Sequence, residues 1–200
     1  MKYKDMKQAV NLLENEWNLG EKESGATRRL CAWIYMMEIL EETEQFIYYK
    51  ENKKLLGFAG YSKYHSKKYL LRKKLAKFIK NILYKSKSIK NVNALKEYNE
   101  NYSYTPDEMK NDFDGEISIL ILDKKYRGKG IGKKILSELF DLAKKDNIKN
   151  IQILTDESCN YIIYEKLGCI KVYETIVENK EYDNLGNLEK EKAFIYKKEF

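Results

Sequence analysis

The sequence predicts an α/β fold: a mixed sheet with helices on both faces. Three observations carry this expectation. Segments of helical and of strand period succeed one another in the order ααββ, an insert, then βαβαββ. The stretch Gly115–Leu122 (GEISILIL) is apolar on both faces beyond its start, as expected of a central strand. A turn with three glycines follows that strand directly and opens a helix. At 200 residues the chain suits one domain, 1–200, carrying an insertion.

In chain order, residues 4–17 and 26–41 read as helices. Asn18-Leu19-Gly20 is a C-cap signal for the first. Ser24 is an N-cap for the second, and Leu30, Ile34, Met37 and Leu40 line its apolar face. Residues 45–50 and 54–63 are strands joined across Glu51-Asn52-Lys53. Strand 115–122 follows the insert, then helix 131–145 with its stripe Ile131, Ile135, Leu139 and Leu142. Strand 149–155, helix 158–167, strand 170–178, a loop at 183–187 and strand 192–199 complete the order.

The insert, at about 66–112, differs in charge from everything around it. All 12 charged residues from Lys63 to Lys96 are basic, although the whole chain nets only +7. The rest of the chain is therefore acidic, at −5. Within the insert, Leu71, Leu75, Phe78 and Ile82 recur at helical spacing and mark a basic amphipathic helix. The expectation is that these four are buried against the body or a second subunit, with the lysines in water. A second short helix is expected at 91–100, and Pro106 opens a turn or another helix.

The chemistry is concentrated in Arg127-Gly128-Lys129-Gly130-Ile131-Gly132-Lys133. Glycines here let the backbone adopt conformations closed to other residues and approach a ligand closely. The first amides of the following helix have no intrahelical acceptor and sit at the positive end of its dipole. Arg127, Lys129 and Lys133 add formal charge, so a pyrophosphate suits the site. It is not a P-loop, because Lys133-Lys134 is not followed by Ser or Thr. Nor is it a dinucleotide fingerprint, because the glycines at 128, 130 and 132 miss the spacing and open no N-terminal βαβ unit.

On these residues the sequence resembles the GNAT acetyltransferase family. Arg127, Gly130 and Gly132 match its Arg/Gln-x-x-Gly-x-Gly/Ala pattern after a central strand. Tyr164-Glu165-Lys166-Leu167-Gly168 resembles its next element, in which a tyrosine four residues before a glycine lies near the thioester sulfur. The resemblance is clear over about 115–170 and does not reach the insert. It departs at Glu157, where many members carry Asn, and at Cys169, where an aromatic often stands.

The resemblance implies a GNAT-type α/β fold with a helical insertion between the third and fourth strands. It implies acetyl-CoA as cosubstrate, its pyrophosphate held by backbone amides of residues 127 to 133. Main-chain groups of Leu120, Ile121 and Leu122 would pair with pantetheine as an added strand would, the Leu122 amide facing the thioester oxygen. Asn160 would touch the pantetheine arm. Tyr164 would protonate or hydrogen-bond the leaving thiolate.

Acetyl transfer also needs a neutral amine, and a carboxylate within reach, directly or through a water, can take its proton. Glu116, 11 residues before Arg127, stands where some members place a catalytic glutamate. Asp156 and Glu157 are alternatives. Cys159 at a helix start allows a covalent acetyl-cysteine route, and a small core thiol is the competing reading.

Other classes recede. His65 is the sole histidine, which leaves no usual zinc ligand set and no well-placed triad. Three cysteines without CxxC spacing fit free thiols in a reducing compartment. The first residues lack a signal-peptide core and no apolar run is long enough to span a bilayer, so a cytoplasmic location is expected. The acceptor is a small-molecule or peptide amine, and a homodimer is compatible. Two alternatives attach to the insert: nucleic-acid engagement, as a binding module or in acetylating aminoacyl-tRNA, and a helix lying on an anionic membrane surface.

Overall fold

A computed structural model describes residues 3–17, 25–85, 104–182 and 188–200. The expected caps at 18–20 and 24, the helix at 91–100 and the loop at 183–187 lie outside these. The helices are α1 (Tyr3–Glu16), α2 (Gly25–Glu42), α3 (Leu70–Tyr84), α4 (Ile131–Lys145) and α5 (Ile162–Glu165). The strands are β1 (Gln45–Glu51), β2 (Lys54–Lys63), β3 (Gly115–Leu122), β4 (Asn150–Asp156), β5 (Ile170–Tyr182) and β6 (Leu188–Glu199). The sheet has six strands in the order β1-β2-β3-β4-β6-β5 and is mixed, with β3–β4 parallel and the β1–β2, β4–β6 and β5–β6 pairs antiparallel.

The chain divides into two compact units, residues 1–90 with 117–146, and residues 91–116 with 147–200. In the first, β1 and β2 form a hairpin closed by Asn52 and Lys53, both at positive φ (46° and 66°), as a type I′ loop requires. Leu13, Ile34, Leu56, Phe58, Ile121, Ile135 and Leu139 are fully buried around it. At Gly57 a Cβ would come within 2.8 Å of the Ile121 carbonyl, so only glycine permits this approach of β2 to β3. Asp146, after α4, accepts hydrogen bonds from Gln45, Tyr61 and Lys68 and ties that helix to the hairpin.

The insertion departs from expectation in two ways. Its helix, α3, stands between the second and third strands, not the third and fourth, because only β1 and β2 precede it among the described residues. Its faces are also reversed. Leu71, Leu75, Phe78 and Ile82 are 86%, 58%, 62% and 53% exposed, where burial was expected. The polar face is the one that docks.

Arg72 donates to the Thr43 and Glu44 carbonyls, which follow the C-terminus of α2, the negative end of its dipole. Lys73 pairs with the buried Glu44 at 2.8 Å, Lys80 with Glu41 at 2.7 Å, and the Tyr84 hydroxyl donates to Glu38 at 2.7 Å. Ala76 is the one buried side chain of α3, small enough to let the two helices close.

In the second unit, Ile151, Ile153, Ala193 and Ile195 are buried on β4 and β6. The Tyr104 hydroxyl bonds to Thr155 and Phe194 backbone groups and joins the two strands ahead of the 3-10 turn Asp107–Asp112 that Pro106 opens. The expected helix 158–167 is shortened to Ile162–Glu165. The cause is Asp156, whose Oδ1 accepts from the Ser158 and Cys159 amides and holds those residues in a turn.

Candidate functional site

The glycine loop belongs to the first unit. β3 ends at Leu122, a 3-10 turn at Lys124–Tyr126 follows, and α4 begins at Ile131. Gly128 and Gly130 sit at φ 76° and 77°, and Gly130 is the N-cap of α4 with no side-chain cap. A Cβ at either position would meet nothing within 4 Å, so the space above both is open. Both need glycine for conformation. The amides of Ile131, Gly132 and Lys133 have no acceptor within the helix, at the positive end of a 15-residue dipole.

The loop is fixed from a direction the sequence did not announce. Glu16, at the end of α1 and 5% exposed, accepts from the Lys124 amide at 3.1 Å and from the Arg127 guanidinium at 2.5 Å. Arg127 Nε also donates to the Leu122 carbonyl at 3.2 Å. The Arg127 side chain is thus spent on bracing the loop, and its charge is balanced by Glu16. Lys129 lies over the Tyr126 ring at 5.1 Å, and Lys133 is exposed. On β3, Ile121 is buried while Leu120 and Leu122 are half-buried. The parallel ladder to β4 pairs Gly115 with Ile151 and Glu116 with Gln152, all within the second unit.

The second unit holds Glu116, Tyr164 and Asn160. Glu116 is half-buried, and Gln152 Nε2 donates to its Oε2 at 3.0 Å. Gln152 is itself buried and accepts from Thr105 Oγ1 at 3.2 Å. A chain of three side chains therefore orients the carboxylate. The sequence signal was present in a polar residue between Ile151 and Ile153, but nothing in the pattern named its partner.

Tyr164 is buried, its ring tilted at 45° against Tyr196 with centroids 5.7 Å apart. Burial, with the nearby Cys159, pushes its phenol far above the usual tyrosine range, so it keeps its proton at any working pH. Asn160 is exposed, and its carbonyl accepts the Ile163 amide that opens α5.

The alternative bases are committed elsewhere. Asp156 is 4% exposed and holds Ser158 through Oγ (2.6 Å) and the amide (3.0 Å). Glu157 bridges to the Lys192 amide at 3.0 Å. Glu191, unremarked in the sequence, accepts the Ser158 amide, and burial beside Asp156 raises its carboxyl. The Cys159 thiol is pushed up to about 11 by desolvation and by Asp156, which opposes the thiolate a covalent route needs.

The acetyltransferase (GNAT) family model matches residues 94–169, a span that includes Glu116, the glycine loop and Tyr164. Over those 76 of its 200 residues the chain is similar to the GNAT acetyltransferase family. No curated protein matches it in sequence.

Solved structures share its fold over its full length. A Pyrococcus horikoshii protein is 20% identical, with all of this chain and 94% of that one covered at a TM-score of 0.58. An N-acetyltransferase from Staphylococcus aureus is 16% identical, covering 100% and 94% at 0.55. A Streptococcus mutans protein is 16% identical, covering 100% and 96% at 0.56. At such identities these likenesses establish the fold alone. No helix among the described residues is long and apolar enough to cross a membrane.

Proposed function

We propose that the chain is a GNAT enzyme that transfers the acetyl group of acetyl-CoA directly to a primary amine, in the cytoplasm, with Glu116 as base and Tyr164 as donor to the leaving sulfur. The observation that carries the reading is the open cradle at Gly128 and Gly130 over the uncapped start of α4. Backbone amides there suit a pyrophosphate, with Lys129 and Lys133 as the available cations. Pantetheine would add as a strand along β3 at Leu120, Ile121 and Leu122. Asn160 would contact its arm.

In the reaction the amine lone pair attacks the thioester carbon. The C–N bond forms, the C–S bond breaks, and the ammonium proton passes to Glu116. Tyr164, with its pKa raised, is poorly placed thermodynamically to give its proton away fully to a thiolate. It serves better as a hydrogen-bond donor that stabilises the developing charge on sulfur.

The nucleic-acid alternative loses support, since Arg72, Lys73 and Lys80 are spent on α2 and the turn that follows it. The test is a screen of polyamines, amino sugars and lysine peptides for acceptor-dependent release of CoA thiol. One acceptor whose acetylated nitrogen is found by mass spectrometry supports the proposal. Hydrolysis of acetyl-CoA independent of every amine would oppose it.

A further inference from the structure

The reversed docking of α3 leaves an apolar stripe in water. Leu71, Leu75, Phe78 and Ile82 follow one another at spacings of four, three and four, and all are more than half exposed. At about 100° per residue they share one face, and Lys74 and Lys85 fall along one flank of it. Both lysines are exposed, and no acidic residue occurs between Lys63 and Lys96. The cations that would ordinarily face solvent are instead used against Glu38 and Glu41 of α2 and against Glu44 in the turn after it.

Two features of this surface select its occupant. The first is size. A 15-residue helix is roughly 22 Å long and presents roughly 220 Å² along such a stripe, far below the ~800 Å² per partner of a stable protein interface. The second is charge. Packing two copies stripe to stripe would bring the flanking lysines of both into one seam, which like charges oppose. A bilayer surface needs no large complementary area. It accepts the apolar side chains among its acyl chains and the lysines at anionic headgroups. We propose that α3 is a membrane-surface helix that seats this enzyme on anionic bilayers through Leu71, Leu75, Phe78 and Ile82, with Lys74 and Lys85 at the headgroups. The proposal is independent of the chemistry assigned to the catalytic residues.

The full chain is tested by sedimentation with vesicles of phosphatidylcholine alone and with vesicles in which about one lipid in three is phosphatidylglycerol. It partitions to the anionic vesicles, and added salt weakens that binding. The double variant Leu75→Ser, Phe78→Ser binds at least about tenfold more weakly, while its melting temperature stays that of the parent because both side chains are already in water. Lys74→Gln and Lys85→Gln each weaken binding about fivefold. The proposal is overturned if the chain stays in the supernatant with both lipids, or if the serine variant binds as the parent does. It is equally overturned if the stripe proves to hold two copies together, seen as a dimer in analytical ultracentrifugation that the serine substitutions dissociate.

Discussion

Replacing Glu116 by glutamine separates the chemistry of this carboxylate from its structural place. Gln152 Nε2 donates to Glu116 Oε2 at 3.0 Å, and an amide oxygen at the same position accepts the same bond. Glu116→Gln should therefore cost no more than about 1 kcal/mol of stability, the difference between a charged and a neutral acceptor. What the variant loses is a proton acceptor, worth about 10²–10⁴ in rate. An alkylammonium acceptor has a pKa of about 10.4, so about one molecule in 10³ is neutral near pH 7.4. With the base gone, turnover should rise about tenfold per pH unit toward that pKa. The parent profile should be flatter, because Glu116 performs the deprotonation within the site. The assay is thiol release followed with a chromogenic disulfide between pH 6.5 and 9.5, acetyl-CoA saturating and acceptor well below its KM. Full turnover at pH 7, or a variant profile parallel to the parent's, would refute the base role.

Two further substitutions probe the second unit. Tyr164→Phe keeps the ring that packs on Tyr196 and removes the hydroxyl, so acetyl-CoA affinity should persist while kcat falls about 10²-fold. Unchanged kcat with chemistry rate-limiting would contradict a donor at the sulfur. Cys159→Ala should retain turnover, since a thiol held at about 11 is almost wholly protonated at neutral pH. An acetylated Cys159 trapped by rapid quench and seen in the peptide mass map would contradict direct transfer.

The elements built on short-range rules were legible in the sequence. β3, the glycine turn and α4 follow from alternation, positive-φ glycines and helical period. The β1–β2 hairpin follows from Asn52-Lys53. What was missed depends on partners far away in the chain. Periodicity found the apolar stripe of α3 but not which side docks, because that is decided by Glu38 and Glu41 on α2 and Glu44 just after it. An acidic neighbour makes the basic face the buried one and reverses the usual rule for amphipathic helices.

The bracing of Arg127 by Glu16 spans 111 residues, and the chain Thr105–Gln152–Glu116 joins residues 36 to 47 apart. No local pattern encodes such pairs. Helix 158–167 is shorter than its apolar period implies, because that period cannot see the Asp156 side chain capturing the amides of the next turn.

The cradle at Gly130 bears the greatest weight, and calorimetric titration of acetyl-CoA into the parent and Gly130→Glu tests it directly. The parent should bind with a Kd of about 1 μM or tighter. At φ 77° a side chain costs about 1–2 kcal/mol of stability, so a thermal melt first confirms that the variant is folded. The added Cβ and carboxylate then enter the open space where the pyrophosphate would lie. Affinity should fall by at least about 10²-fold, as expected when a like charge is set against a phosphate in place of bare amides. A folded Gly130→Glu that binds acetyl-CoA as tightly as the parent would contradict the assignment of this loop.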